Sequence, residues 1–175
     1  MGKDTHTQLV SQLERAPSKE WAEAYFNLAE ALIDATNLSN DDPRLVMSLP
    51  RKGTLPITIN NRYVLVGLRG GENRTEFIFP ANRTGVEQYR KRADRAGRFR
   101  AIYDEPEHRR PWFLAFDDQP DRAVDLVFAH LWLTAVEREL QRAEASPYRR
   151  YHEPVLYRAA TDRGYRERVL REAFE

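Results

Sequence analysis

Apolar residues recur at two different periods along this chain, and each change of period marks a change of element. Residues 5–15 carry a short helical pattern. Ser18 then opens a stronger one, in which Trp21, Tyr25, Leu28 and Leu32 follow the i, i+4, i+7, i+11 spacing of a buried stripe. The turn-rich run NLSNDDP, residues 37–43, stops it.

Extended patterns follow. In LPITINNRYVLVGL the pair Asn60-Asn61 suits a tight two-residue turn, because asparagine tolerates positive φ. That turn predicts Ile57 opposite Val64 and Leu55 opposite Val66. A second turn, Gly70 to Asn73, predicts Phe79 beside Val64 and Phe77 beside Val66, completing a three-stranded meander with one apolar face. Residues 84–96 read as a helix closed by Gly97. RFRAIY and PWFLAF form a hairpin that sets Phe99 against Phe116, Ala101 against Leu114 and Tyr103 against Trp112. DDQPDRAVDLVFAHLWLTAVEREL is a long helix, apolar nearly all round in its middle, and becomes the central helix of the core. Tyr148, Tyr151 and Val155 share a helical side that packs beneath it. A break at Pro154 precedes a final helix capped by Thr161 or Asp162, with Tyr165, Val169, Leu170, Ala173 and Phe174 as its apolar side. Arg166 falls inside that apolar arc, so it must reach an acidic partner or a bound anion.

The order αα–βββ–α–ββ–α–α predicts an α+β fold. Its sheet is mainly antiparallel, with about five strands, a three-stranded meander plus a hairpin, covered by helices. A length of 175 residues suits a single domain spanning 1–175, whole or as a piece of a longer chain. No apolar run approaches the ~20 residues of a membrane helix, and no secretory pattern opens the chain, so the expected setting is cytoplasmic and away from membranes. The absence of cysteine removes disulfides, thiolate metal sites and a cysteine nucleophile.

The net charge of +1 conceals an uneven distribution. Residues 1–48 hold four basic and eight acidic groups, residues 83–100 seven and two, residues 101–148 five and ten, and the last 27 seven and five. Arginine supplies 24 of the 28 positive charges, and its planar guanidinium can grip phosphate bidentately or stack on rings. A GC-rich genome produces the same bias.

Catalytic chemistry finds little footing. Asp104, Glu105, Glu107 and His108 cluster, and Asp117 with Asp118 follow the next strand. The predicted hairpin puts the two groups at opposite ends of strands, roughly 17 Å apart at ~3.3 Å per residue, too far for one metal. Arg109 and Arg110 neutralise the first group. His130, among apolar residues, reads as a buried hydrogen-bonded histidine. GLRGGEN lacks the lysine and following helix of a phosphate loop. No cofactor and no metal are expected.

Binding has more content. On the 84–96 helix Lys91, Arg92 and Arg95 with Gln88 form a cationic ridge, and Arg90 stands to one side with Glu87 and Asp94. Arg98 and Arg100 extend the ridge, and SPYRRYHEP adds Arg149, Arg150 and His152, with Arg166 beyond. Such a set neutralises phosphates without reading sequence. The first reading is therefore a non-catalytic nucleic-acid recognition or accessory module, for DNA more than RNA, of the kind a defence or restriction system uses. The second is a protein-interaction or scaffold domain, with a protein partner or a second copy, which the near-neutral net charge favours. A divalent-metal hydrolase is the third.

Overall fold

A computed structural model describes residues 4–49, 54–60, 62–69, 75–81, 99–101, 112–117, 133–134, 136–141 and 145–175. Helix α1, Thr5–Leu13, begins at Asp4, whose carboxylate accepts from the His6 amide. Helix α2, Lys19–Thr36, begins at Ser18, whose hydroxyl accepts from the Trp21 amide at 3.2 Å. It ends at Asn37, which takes the left-handed conformation at φ 52° that lets a helix terminate. The stripe Trp21, Tyr25, Leu28 and Leu32 is buried, as its spacing requires.

Among the described residues six strands form one antiparallel sheet in the order β1-β2-β3-β4-β6-β5: β1 Leu45–Met47, β2 Leu55–Ile59, β3 Arg62–Arg69, β4 Thr75–Ala81, β5 Phe99–Ala101 and β6 Trp112–Asp117. The fold thus mixes helix with an antiparallel β2–β3–β4 meander, and the hairpin is continuous with it through β4–β6 pairing. Strand β1 is an addition to the sequence reading. Its three residues, between Pro43 and Pro50, are too short to show a period.

The registers refine the meander. Ile59 pairs with Arg62 and Thr58 with Tyr63 across the Asn60 turn, where Asn60 sits at φ 50°. The register then slips by one residue at Val64, so Ile57 pairs with Leu65 and Leu55 with Gly67. The expected pairs Ile57–Val64 and Leu55–Val66 are therefore corrected: a β-bulge inserts one residue into β3. A matching one-residue difference on the other side pairs Gly67 with Phe77 and Val66 with Ile78. Leu55 and Phe77 keep the common row predicted for them, while the β3 member between them is Gly67 instead of Val66. In the hairpin, Phe99 pairs with Phe116 and Ala101 with Leu114. The Tyr103–Trp112 pair, the 84–96 helix and residues 118–132 of the long helix lie outside the described residues. Of the stretch predicted as a long helix, residues 136–140 are helical, and Val136 is fully buried.

Pro154 starts helix α3, Pro154–Thr161, and Asp162 caps helix α4, Arg163–Phe174, by accepting from the Tyr165 amide at 3.0 Å. These two helices pack against α1 and α2, and Leu156, Ala159, Ala160, Val169 and Leu170 join the core built on α2 and the sheet.

One core atom is out of place chemically. Tyr25 is fully buried, yet its hydroxyl has no hydrogen-bond partner among the described residues, and burial drives its pKa upward. An unpartnered buried donor costs about 1–3 kcal/mol of desolvation. The expected outcome of Tyr25→Phe is accordingly a gain of up to about 1 kcal/mol in thermal or urea denaturation. A Tm several degrees below wild type would mean that the hydroxyl is satisfied.

Candidate functional site

The segment Ser146–Glu153 lies along β1, the outer strand of the sheet. An edge strand leaves alternate N–H and C=O groups without a ladder partner. For β1 these belong to Leu45 and Met47, and all four are satisfied. The Leu45 amide donates to Asp42 O at 3.2 Å, and Leu45 O accepts from Arg149 Nη1 at 3.0 Å. The Met47 amide donates to His152 Nδ1 at 3.1 Å, and Met47 O accepts from the Glu153 amide at 2.8 Å. A second guanidinium nitrogen of Arg149 donates to Asn40 O. Here the chain's own arginine and histidine seal a sheet edge.

The hydrogen bonds also assign the His152 tautomer. Nδ1 accepts the Met47 proton, so Nε2 carries the ring proton and donates to Asn40 Oδ1 at 2.9 Å. Burial first, and the Arg149 cation second, pull the imidazole pKa down to about 4, against a smaller opposing pull from Asp41. The ring is neutral at pH 7. His152 and Arg149, two of the residues expected to contact an anion, are thus placed against the β1 edge, with both ring nitrogens and two guanidinium nitrogens committed to the chain's own groups.

Arg166 is likewise spoken for. It is 7% exposed, and its guanidinium donates to Ala159 O at 2.9 Å, to Ala160 O, to Asn27 Oδ1 at 3.0 Å and to Glu30 Oε2 at 2.7 Å. The acidic partner expected for it is thus Glu30, and the arginine closes the end of α3 while tying α2 to α4.

A second polar cluster joins α1 to α4. His6 Nδ1 lies 2.8 Å from Tyr165 Oη, and His6 Nε2 lies 2.7 Å from Glu172 Oε2. Arg158 and Arg168 stand 4.4 Å and 5.0 Å from the centre of the Tyr165 ring. A carboxylate–imidazole–phenol chain resembles an activated nucleophile. However, burial raises the Tyr165 pKa, the wrong direction for a phenolate, and the ring is 5% exposed. The cluster docks α1.

What remains outward is aromatic. Residues Arg149–Tyr151 form a single 3-10 turn instead of an α-helix. In that geometry side chains three apart eclipse, which brings Tyr148 over Tyr151 with ring centres 6.4 Å apart and planes 26° apart. The two rings are 53% and 51% exposed, and exposed Arg150 lies 4.9 Å from the Tyr151 ring centre. The expectation that both tyrosines pack beneath the long helix is corrected, because a 100° wheel does not apply to this turn. Their exposure was missed in the sequence, although Pro147 and Pro154, which bound the segment closely, were a usable signal for a tight turn.

The other predicted ligands are placed only in part. Arg100 is in β5 opposite Ala115, whereas Arg90, Lys91, Arg92, Arg95 and Arg98 lie outside the described residues, as do Asp104, Glu105, Glu107, His108, Asp118 and His130. Asp117 is the register partner of Glu76. Among the described residues no group of three His, Asp or Glu side chains could hold a metal, and no helix is long and apolar enough to cross a membrane. Comparison with family models, with curated proteins and with solved structures finds no match for this chain, so its functional reading rests on its own residues.

Proposed function

We propose that this domain is a non-catalytic binding module that takes a protein partner on the knob formed by Tyr148, Arg150 and Tyr151. The observation that carries the reading is the exposed, mutually stacked tyrosine pair on a turn whose neighbours Arg149 and His152 are fixed to the β1 edge. Rigid tyrosines lose little conformational entropy on contact, and tyrosine with arginine is the composition of interface hot spots. Local charge supports a protein over a polyanion. Of Arg149, Arg150 and Arg166, Arg150 faces solvent, while Asp41, Asp42 and Glu153 border the same turn. The complementary surface is a carboxylate beside an apolar hollow, in a cytoplasmic partner. Nucleic-acid binding would instead draw on residues 83–100, whose balance is +5 by seven basic against two acidic groups.

The test is selection of peptides from a random displayed library against the full chain, in parallel with titration of single- and double-stranded DNA and RNA oligomers. The Tyr148→Ser/Tyr151→Ser variant should stay within about 0.5 kcal/mol of wild-type stability, since both positions are exposed. Selected peptides should carry an acidic residue next to an apolar one and should lose at least tenfold in affinity for the variant. Peptides indifferent to the two tyrosines would overturn the reading. Oligomer binding that weakens steeply between about 50 and 200 mM salt and survives in the variant would transfer it to the basic segment.

A further inference from the structure

We propose that the turn Arg149–Glu153 is a proton-released latch on the β1 edge, with His152 as its trigger. The geometry permits one protonation state. Nδ1 accepts the Met47 N–H at 3.1 Å and Nε2–H donates to Asn40 Oδ1 at 2.9 Å, so both ring nitrogens are committed with the ring neutral. A proton arriving at Nδ1 removes that acceptor and sets two donors against each other. The same proton places a second cation beside Arg149, whose guanidinium is pinned to Leu45 O and Asn40 O and cannot withdraw while the latch is shut.

The surrounding charges do not rescue the imidazolium. Asp41 favours it, but burial and Arg149 outweigh that attraction. Asp42 is occupied by Arg44, through Nη2 at 2.7 Å and Nε at 2.9 Å. Burial raises the Glu153 pKa, so this carboxylate discharges early as pH falls. From α3, Tyr157 spends its hydroxyl on Leu38 O at 2.9 Å, and Asp34 of α2 acts on that phenol. Opening relieves the conflict by letting the ring reach water.

The direction of the pH effect follows from linkage. An open His152 titrates near 6.5, and the latched ring titrates near 4. The open state therefore binds more protons, and closure is complete above pH 6.5 and lost as pH falls towards 4. Because the ring is only partly buried, the closing constant should drop by up to about a hundredfold across that window instead of by the full difference. An open latch leaves Leu45 O and both Met47 groups available to another strand.

Amide hydrogen exchange of the full chain at pH 7 and pH 4.5, corrected for intrinsic rates, reads the latch at Met47, with Phe26 in α2 reporting global unfolding. Protection at Met47 should fall at least tenfold, and Phe26, whose unfolding also frees His152, should lose a similar factor while staying better protected than Met47. His152→Gln, in which an amide oxygen can take the Met47 proton and the amide nitrogen can donate to Asn40, should hold Met47 protection constant. Equal loss in wild type and variant, or no loss in wild type, overturns the latch. If the variant does not fold, the wild-type His152 ring resonance decides: a midpoint near 6.5 instead of 4 is equally fatal.

Discussion

Arg166→Ala should destabilise the domain by about 3 kcal/mol, a large share of the 5–15 kcal/mol that holds an ordinary domain folded. The arginine's four acceptors come from two sources. Ala159 O and Ala160 O are buried end-of-helix carbonyls of α3, and Asn27 with Glu30 belong to α2. Truncation leaves the carbonyls without donors and opens a gap where the aliphatic stem packed. Glu30 softens the loss, because its side chain is 41% exposed and can turn to water. Glu30→Gln should accordingly cost only about 1 kcal/mol. Arg166→Lys should fall between the two, since one ammonium cannot span four acceptors arranged for a planar fork. Urea denaturation of the three variants, with unchanged m-values, gives the ranking. An Arg166→Ala protein within 1 kcal/mol of wild type would show that the site is loosely held and would return the residue to the list of surface cations.

How much of this was legible beforehand depends on how far each residue reaches. Helix α2 is readable because its stripe, its Ser18 cap and its asparagine stop are all local. The interior position of Arg166 is readable too, since a charge inside an apolar arc demands a partner, although nothing in the chain singles out Glu30. The register of β3 is not readable. Val64, Leu65 and Val66 are apolar without alternation, so no period opposes a one-residue slip, and the bulge at Val64 leaves Val64 and Leu65 both fully buried. The edge cap is hidden for a different reason. Arg149 and His152 bond to main-chain atoms of Leu45 and Met47, more than a hundred residues earlier, and backbone acceptors carry no sequence signature. An arginine that closes a sheet edge is therefore indistinguishable, in sequence, from one that waits for a phosphate. The tyrosines fail in the opposite sense: their spacing of three suits either a buried helix face or an eclipsed pair, and only the turn type separates the two.

The bulge has an energetic consequence that a double-mutant cycle can measure. By putting Gly67 in the row of Leu55 and Phe77, it sets a bare backbone under the Trp21 indole. A Cβ at position 67 would stand 2.8 Å from Trp21 Cη2, 3.0 Å from Cζ2 and 3.1 Å from Tyr25 Cδ2. The indole has little room to retreat, because it stacks on Tyr25 at 6.2 Å with planes 15° apart, and Tyr25 in turn meets Phe26 edge-on at 5.4 Å. Gly67→Ala should thus cost about 2 kcal/mol by overpacking, although alanine suits a strand better than glycine does. Trp21→Ala should cost about 3–5 kcal/mol through the lost ring and the cavity. Trp21→Phe removes the Cζ2 and Cη2 atoms that a Cβ would strike, at about 1–2 kcal/mol. In that background the added methyl fills vacated space, and Gly67→Ala should cost less than about 1 kcal/mol. The double variant should then be more stable than the sum of its singles by at least about 1 kcal/mol, well above the ~0.5 kcal/mol within which independent sites add. Strict additivity would mean that the ring and the glycine do not touch, and that the one-residue slip at Val64 is not what brings α2 so close to the sheet.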